Sequence, residues 1–221
     1  MSDLNDIVAV GLDLEPRTLI HAYSNGIFPW PSPGLPLLWH CPQIRGILLF
    51  EDLHIAKRLQ QYLKRTPWTF TIDQNFKEVM EACGERGDEG TWITDEMKHA
   101  YLKMHELGYA HSVEVWNGST LVGGLYGIDC AGYFAGESMF HREDNASKAA
   151  ILFVISRLKK VGRSWMDIQM TTPHMEALGA SEITRENFLK KLATAKKAQK
   201  LGSGVNPFSE KGQHFTYTDF S

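Results

Sequence analysis

Asn117-Gly118 stands between two alternating runs, Ser112 to Trp116 and Thr120 to Ile128. That dipeptide accepts the left-handed backbone of a two-residue hairpin, so the flanking runs are predicted to pair as antiparallel strands. Gly132 to Glu137 supplies a third strand. Asn145 to Val161 then reads as a helix whose centre, Ile151 to Ile155, is apolar without a break, so it needs cover on more than one side. Trp165 to Met170 is the next strand. An antiparallel block, a buried helix and a returning strand place the chain in the α+β class with a mixed sheet.

The remaining segments fit around that block. Pro16 to Asn25 is a predicted helix with Asp13 as its cap and Gly26 as its stop. Phe28 to Gly34 carries three prolines and can be neither regular helix nor central strand. This proline-rich part, closing at Trp39 to Pro42, is assigned to a small N-terminal domain over residues 1–44, with the larger domain over 45–221. In the latter, Ile47 to Phe50 and Thr69 to Ile72 read as strands, and Asp52 to Arg65 as a helix. Asp73 and Thr94 are candidate caps for helices ending near Gly84 and Gly108, with a charged loop from Glu85 to Gly90 between them. Thr184 caps a last helix with a lysine-rich tail. Gly202 to Ser221 has weak periodicity.

Composition narrows the function classes. With 221 residues, 43% of them hydrophobic, the chain can bury a sizeable core. A net charge of −3 excludes a general polyanion binder and leaves nucleic-acid contact to a local patch. Cys41, Cys83 and Cys130 form no CxxC pair, which argues against a disulfide framework or a zinc site. The nine histidines show no HExxH or other ligand spacing, so no metal is expected. The acidic start and the lack of a long apolar run predict a soluble, cytoplasmic chain with no membrane partner.

Glu137, Asp167 and Gln169 are the candidate catalytic groups. The last two lie two apart on a predicted strand and are expected to share a face, where a carboxylate beside an amide can orient an attacking amine and accept its proton. Lys57, Arg58, Lys64 and Arg65 form a basic helix segment suited to RNA phosphates, although most such faces are simply solvated. Trp30, in the proline-rich loop, is the aromatic least suited to a core and most suited to stacking on a base. Gly123, Gly124 and Gly127 precede no clear helix start and read as close-packing positions rather than a phosphate loop.

Five segments taken together carry a resemblance: Tyr23-Ser24-Asn25-Gly26-Ile27-Phe28-Pro29-Trp30, Gly90-Thr91-Trp92-Ile93-Thr94, His111-Ser112-Val113-Glu114-Val115-Trp116, Gly136-Glu137-Ser138-Met139-Phe140 and Leu178-Gly179-Ala180. From about Gly11 to Leu192 the chain resembles the leucyl/phenylalanyl-tRNA–protein transferases of bacteria. The resemblance implies an acetyltransferase-like C-terminal domain. It implies an enzyme that moves Leu or Phe, with Met also compatible, from aminoacyl-tRNA to the N-terminal Lys or Arg of an acceptor protein. The product would be an N-end rule degradation signal, made by a monomer without a cofactor. It places Asp167 and Gln169 on the catalytic pair and Glu137 on a site carboxylate. Trp30 and Trp92 fall on the aromatics for the terminal adenosine. Leu125, Met139, Ile151, Val154, Leu158 and Met166 fall on the side-chain pocket, and Lys57 and Lys64 on the tRNA helix.

The chain also departs from the family pattern. His40 replaces a tryptophan, Gln61 a basic residue, and Thr172 an asparagine. Val154 and Leu158 stand where aromatics can occur, which predicts a roomier pocket. An acyl-CoA-dependent acetyltransferase would need a glycine-rich pyrophosphate loop before the long helix. That place holds His141-Arg142-Glu143-Asp144-Asn145-Ala146, acidic in balance and free of glycine. A non-catalytic RNA-binding module would bind tRNA whatever its aminoacyl group.

Overall fold

The computed structural model describes residues 4–85, 91–201 and 205–220; most of the expected Glu85 to Gly90 loop lies outside them. Ile7–Val10 (β1), Phe28–Trp30 (β2) and Leu38–His40 (β3) form a small antiparallel sheet in the order β1-β3-β2. The proline-bearing β2 is therefore an edge strand, where a missing N–H costs no ladder bond. Pro16–Ser24 (α1) precedes it. Asp13 does not cap α1 as expected. Its carboxylate accepts from Glu15 N (3.1 Å) and the Thr18 hydroxyl (2.6 Å), and the cap position is Glu15.

Ile44–Leu49 (β4), Thr69–Ile72 (β5), Ala110–Asn117 (β6), Thr120–Cys130 (β7), Tyr133–His141 (β8), Trp165–Gln169 (β9), Ser181–Thr184 (β10) and Phe215–Thr216 (β11) make an eight-stranded sheet. Its order is β10-β4-β9-β8-β7-β6-β5-β11. The predicted hairpin joins β6 and β7, but its two-residue turn is Gly118-Ser119 rather than Asn117-Gly118: Asn117 ends β6 paired with Thr120, and Gly118 takes the positive φ, +60°. All neighbours pair antiparallel except β8 and β9, which makes the sheet mixed. The class is the α+β class with a mixed sheet that the element order predicts.

Helices cover both faces. α1, Phe76–Gly84 (α3), Asp95–Glu106 (α4) and Arg185–Leu201 (α7) contribute to one apolar cluster, together with Phe28 and Trp39 of the small sheet. Lys57–Leu63 (α2) and Ala146–Lys160 (α5) lie in the second cluster. α5 buries residues around most of its circumference, as its apolar centre requires, with Phe215 and Phe220 of the C-terminal segment packed on its Phe153. Gly123 and Gly127 have a packing role: a Cβ would lie 2.5 Å from Ala146 of α5 and 2.3 Å from the Ala135 carbonyl.

Two further expectations are corrected. The helix predicted over Asp52 to Arg65 begins only at Lys57, because the preceding segment docks on the loop after β9, with His54 N–H donating to Leu178 O (3.0 Å). Asp73 caps no helix; the cap position of α3 is Asn75. The Asp73 side chain accepts from Ser112 N (2.8 Å) and meets His111 and Lys211 instead, which keeps its carboxyl below the usual range despite burial. Thr94 caps α4 as expected, accepting from Met97 N. No helix among the described residues is long and apolar enough to cross a membrane.

Candidate active site between two diverging strands

β8 and β9 run parallel but share one register pair, Ala135 with Asp167. Beyond that bridge the strands part, and the residues that follow on each line a single cavity of about 260 Å³. Glu137 and Met139 come from β8, Ile168 and Gln169 from β9. Leu125 of β7, Ile151 of α5, Met166 and Met175 complete an apolar wall, and Trp30 and Trp92 stand at one side, stacked with ring centroids 5.2 Å apart. A wall of thioether, leucine and isoleucine side chains suits a flexible or planar apolar ligand group.

The polar side of the cavity is one network. Asp167 is fully buried and pairs with the equally buried Arg45: Nε to Oδ1 is 2.8 Å and Nη2 to Oδ2 is 2.6 Å. Arg45 also donates to Gly26 O (3.0 Å) and lies between the rings of Phe28 and Phe188. Asp167 Oδ1 then accepts the backbone N–H of Gln169 at 3.0 Å. Gln169 has φ +57°, a left-handed conformation that costs about 1–2 kcal/mol for a residue with a Cβ. The bond from Asp167 holds it there. Gly46 leaves room for this turn, since a Cβ at that position would lie 2.7 Å from the Met170 backbone.

Asp167 and Gln169 keep the shared face expected of residues two apart: both engage groups on the side of the first apolar cluster, while Met166 and Ile168 pack in the second. Gln169 lines the cavity, whereas the fully buried Asp167 stands behind it. The Gln169 amide donates from Nε2 to Glu137 Oε1 (3.2 Å), and Tyr101 donates to Glu137 Oε2 (3.3 Å). The Tyr23 hydroxyl bonds both Tyr101 and Glu137. Burial pushes the Glu137 carboxyl up to about 8, with the Asp167 charge adding to it and the two tyrosine hydroxyls opposing it. Burial likewise lifts Tyr23 and Tyr101, with the Glu137 charge reinforcing it.

The cavity brings together most of the expected substrate residues but not Val154 and Leu158. Both are fully buried behind Ile151. They follow it by three and seven residues on α5, a rise of about 4.5 and 10.5 Å away from the cavity. Lys57, Arg58, Lys64 and Arg65 are exposed on and just after α2, and none forms an ion pair among the described residues. Sequence reasoning missed Arg45, Tyr23 and Tyr101. The available signal was the pair of lone charges, Arg45 and Asp167, each the single ionisable residue of a largely apolar strand.

Residues 47–193 match the family model described as leucyl/phenylalanyl-tRNA protein transferase, and residues 12–43 match the model of that protein's N-terminal domain. A protein of that name from Shewanella halifaxensis is 46% identical over 87% of this chain and 82% of its own. Another, from Syntrophus aciditrophicus, is 50% identical over 82% of this chain and 77% of its own.

Proposed function

The chain belongs to the leucyl/phenylalanyl-tRNA protein transferase family, and from that premise we propose how its cavity carries out the transfer. It is an aminoacyltransferase. The donor is leucine, phenylalanine or methionine esterified to the terminal adenosine of tRNA, and the acceptor is a protein with N-terminal Lys or Arg. The product carries an N-end rule degradation signal, and the enzyme acts as a cytoplasmic monomer. Residues 1–44 contribute Trp30 and Tyr23, and residues 45–221 contribute the rest of the groups around the cavity.

The observation that carries this reading is the two-sided cavity: Glu137 and Gln169 on one side, Leu125, Met139, Ile151 and Met166 on the other. The amino-acid side chain enters the apolar half. The adenine stacks against the Trp30–Trp92 pair. The acceptor α-amine must lose a proton before it attacks the ester carbonyl. Its ordinary pKa of about 8 matches that of Glu137, so transfer between them is close to thermoneutral. Gln169 donates through Nε2 to Glu137, which leaves its carbonyl oxygen to accept an N–H of the amine. A C–N bond forms and the C–O bond to the ribose breaks; the attacking nitrogen gives up a second proton, one of the two leaves on the ribose oxygen, and the other passes from Glu137 to solvent. Asp167 and Arg45 are positioning residues, since they act only through Gln169. The basic segment Lys57, Arg58, Lys64 and Arg65 holds tRNA phosphates.

The test is transfer of radiolabelled leucine from charged tRNA to a peptide beginning with arginine. The parent transfers and Gln169→Ala does not, although both bind tRNA. A folded parent that binds charged tRNA and transfers nothing to this peptide or to one beginning with lysine overturns the reading.

A further inference from the structure

Three side chains that neighbour cavity-lining residues, without lining the cavity themselves, have no part in the mechanism above. Each is placed by a neighbour that lines the cavity. His141 is two residues beyond Met139 on β8, so it lies on the same face, one step further out. Lys148 is three residues before Ile151 on α5, on the same helix face and about 4.5 Å nearer the mouth. His174 immediately precedes Met175, in the short helix Pro173–Glu176 (α6). Three separate elements thus bring nitrogen-bearing side chains to one rim.

These groups have little to neutralise them. Lys148 makes one long contact, 3.4 Å to Asn145 Oδ1, and no ion pair among the described residues. His141 is exposed and forms no ion pair among them. His174 Nε2 is buried without a hydrogen-bond partner. Burial first, then the charges of Lys148 and His141, push the His174 imidazole below its usual range, which puts the three groups within electrostatic reach of one another. The acidic reading of the 141–146 stretch changes in three dimensions. Glu143 is turned away to Trp68 (3.0 Å) and Asn117 (2.9 Å), and Arg142 reaches toward Glu78 (3.6 Å), leaving Asp144 exposed on the loop.

We propose that His141, Lys148 and His174 form the seat of the phosphate that links the aminoacylated nucleoside to the rest of the donor strand. This rests on the aminoacyl-tRNA reading of the cavity. In the aminoacylated nucleoside the ester is on the 2′ or 3′ oxygen and the phosphate is on the 5′ oxygen of the same ribose. With the side chain in the apolar half and the base on the tryptophan pair, the 5′ oxygen is left toward the mouth. A lysine on a helix face supplies a point charge to a phosphate. The seat gives a use to three nitrogen-bearing side chains gathered beside a cavity whose own wall carries the acidic Glu137.

The experiment uses two small donors that differ only in the phosphate: leucyl-adenosine, and leucyl-adenosine bearing a 5′-monophosphate. The parent is expected to show a lower KM for the phosphorylated donor. Lys148→Met keeps the aliphatic stem and should raise KM for that donor about 5–10-fold, leave kcat unchanged and leave the phosphate-free donor unaffected. Lys148→Arg should restore most of the preference. An equal effect of Lys148→Met on both donors, or none on either, overturns the seat while leaving the transferase reading intact. If the folded parent transfers leucine from neither donor nor from charged tRNA, the transferase reading fails and the seat fails with it.

Discussion

Replacing Arg45 with methionine isolates the pair on which the site is built. Arg45 and Asp167 are 1% and 0% exposed, joined by bonds of 2.8 and 2.6 Å. Methionine retains much of the packing between Phe28 and Phe188 but leaves the Asp167 carboxylate in the core with the Gln169 N–H as its remaining contact. Removing one partner of such a pair costs about 3–5 kcal/mol. For a chain of this length each kcal/mol moves the midpoint by roughly 2–4 °C, so Arg45→Met should melt about 6–20 °C below the parent. The double change Arg45→Met with Asp167→Leu removes both charges and should recover most of that loss. It should not recover activity, because the left-handed Gln169 has lost the acceptor that holds its backbone. Chemical denaturation and leucine transfer, measured on the same four proteins including Asp167→Leu alone, separate the two effects. An Arg45→Met loss under about 1 kcal/mol, or a double variant no more stable than either single, would refute the argument that the charges stabilise one another. A stable double variant with parental turnover would refute the positioning role of Asp167.

Glu137 predicts opposite pH slopes for stability and activity. Its raised pKa means that the folded state binds the extra proton between pH 4.5 and about 8, so the stability this group contributes declines with rising pH across that window and levels off above it. Glu137→Gln should remove that decline in denaturation midpoints across the window, and kcat/KM of the parent should rise more steeply toward pH 8 than that of the variant, whose rise comes from the acceptor amine alone. Gln169→Ala should cut kcat by about 10²-fold or more with a near-parental melting point, since its side chain serves the cavity and not the core; an equal fall in tRNA affinity would argue against a chemical role. Lys57→Ala with Lys64→Ala should weaken tRNA binding and reduce the slope of log K against log salt by about 1.8, two duplex phosphate contacts. An unchanged slope would remove α2 from the interface. Leu158→Trp, at a position fully buried behind the cavity, should destabilise by about 1–3 kcal/mol through overpacking without altering the Leu-to-Phe ratio; a changed ratio would return Leu158 to the pocket.

Much of the fold was legible because its signals are local. The hairpin at Gly118, the Thr94 cap and the unbroken apolar centre of α5 are each decided by a few neighbouring residues. Elements decided by distant contacts were less visible. β1 and β3 are three or four residues long and exist through pairing with each other. β10 and β11 are short edge strands whose partners lie far away in sequence. Residues 205–220 show little periodicity because they are held piecewise, by Phe208 stacked on His111, Glu210 paired with Arg157 and Phe220 set against Phe70.

The site divides in the same way. The sequence by itself determined the chemistry available: a carboxylate, an amide, paired tryptophans and thioethers in motifs that together mark the family. It could not say which of two neighbouring polar residues reaches the substrate. That depended on Arg45, 122 residues from Asp167 along the chain, which engages both carboxylate oxygens and leaves Gln169 as the one that lines the cavity. Local sequence encodes dihedral preference and side-chain chemistry. The partner that makes a disfavoured dihedral or a buried ion tolerable comes from elsewhere in the chain, so only the tertiary structure decided the direction in which each functional group points.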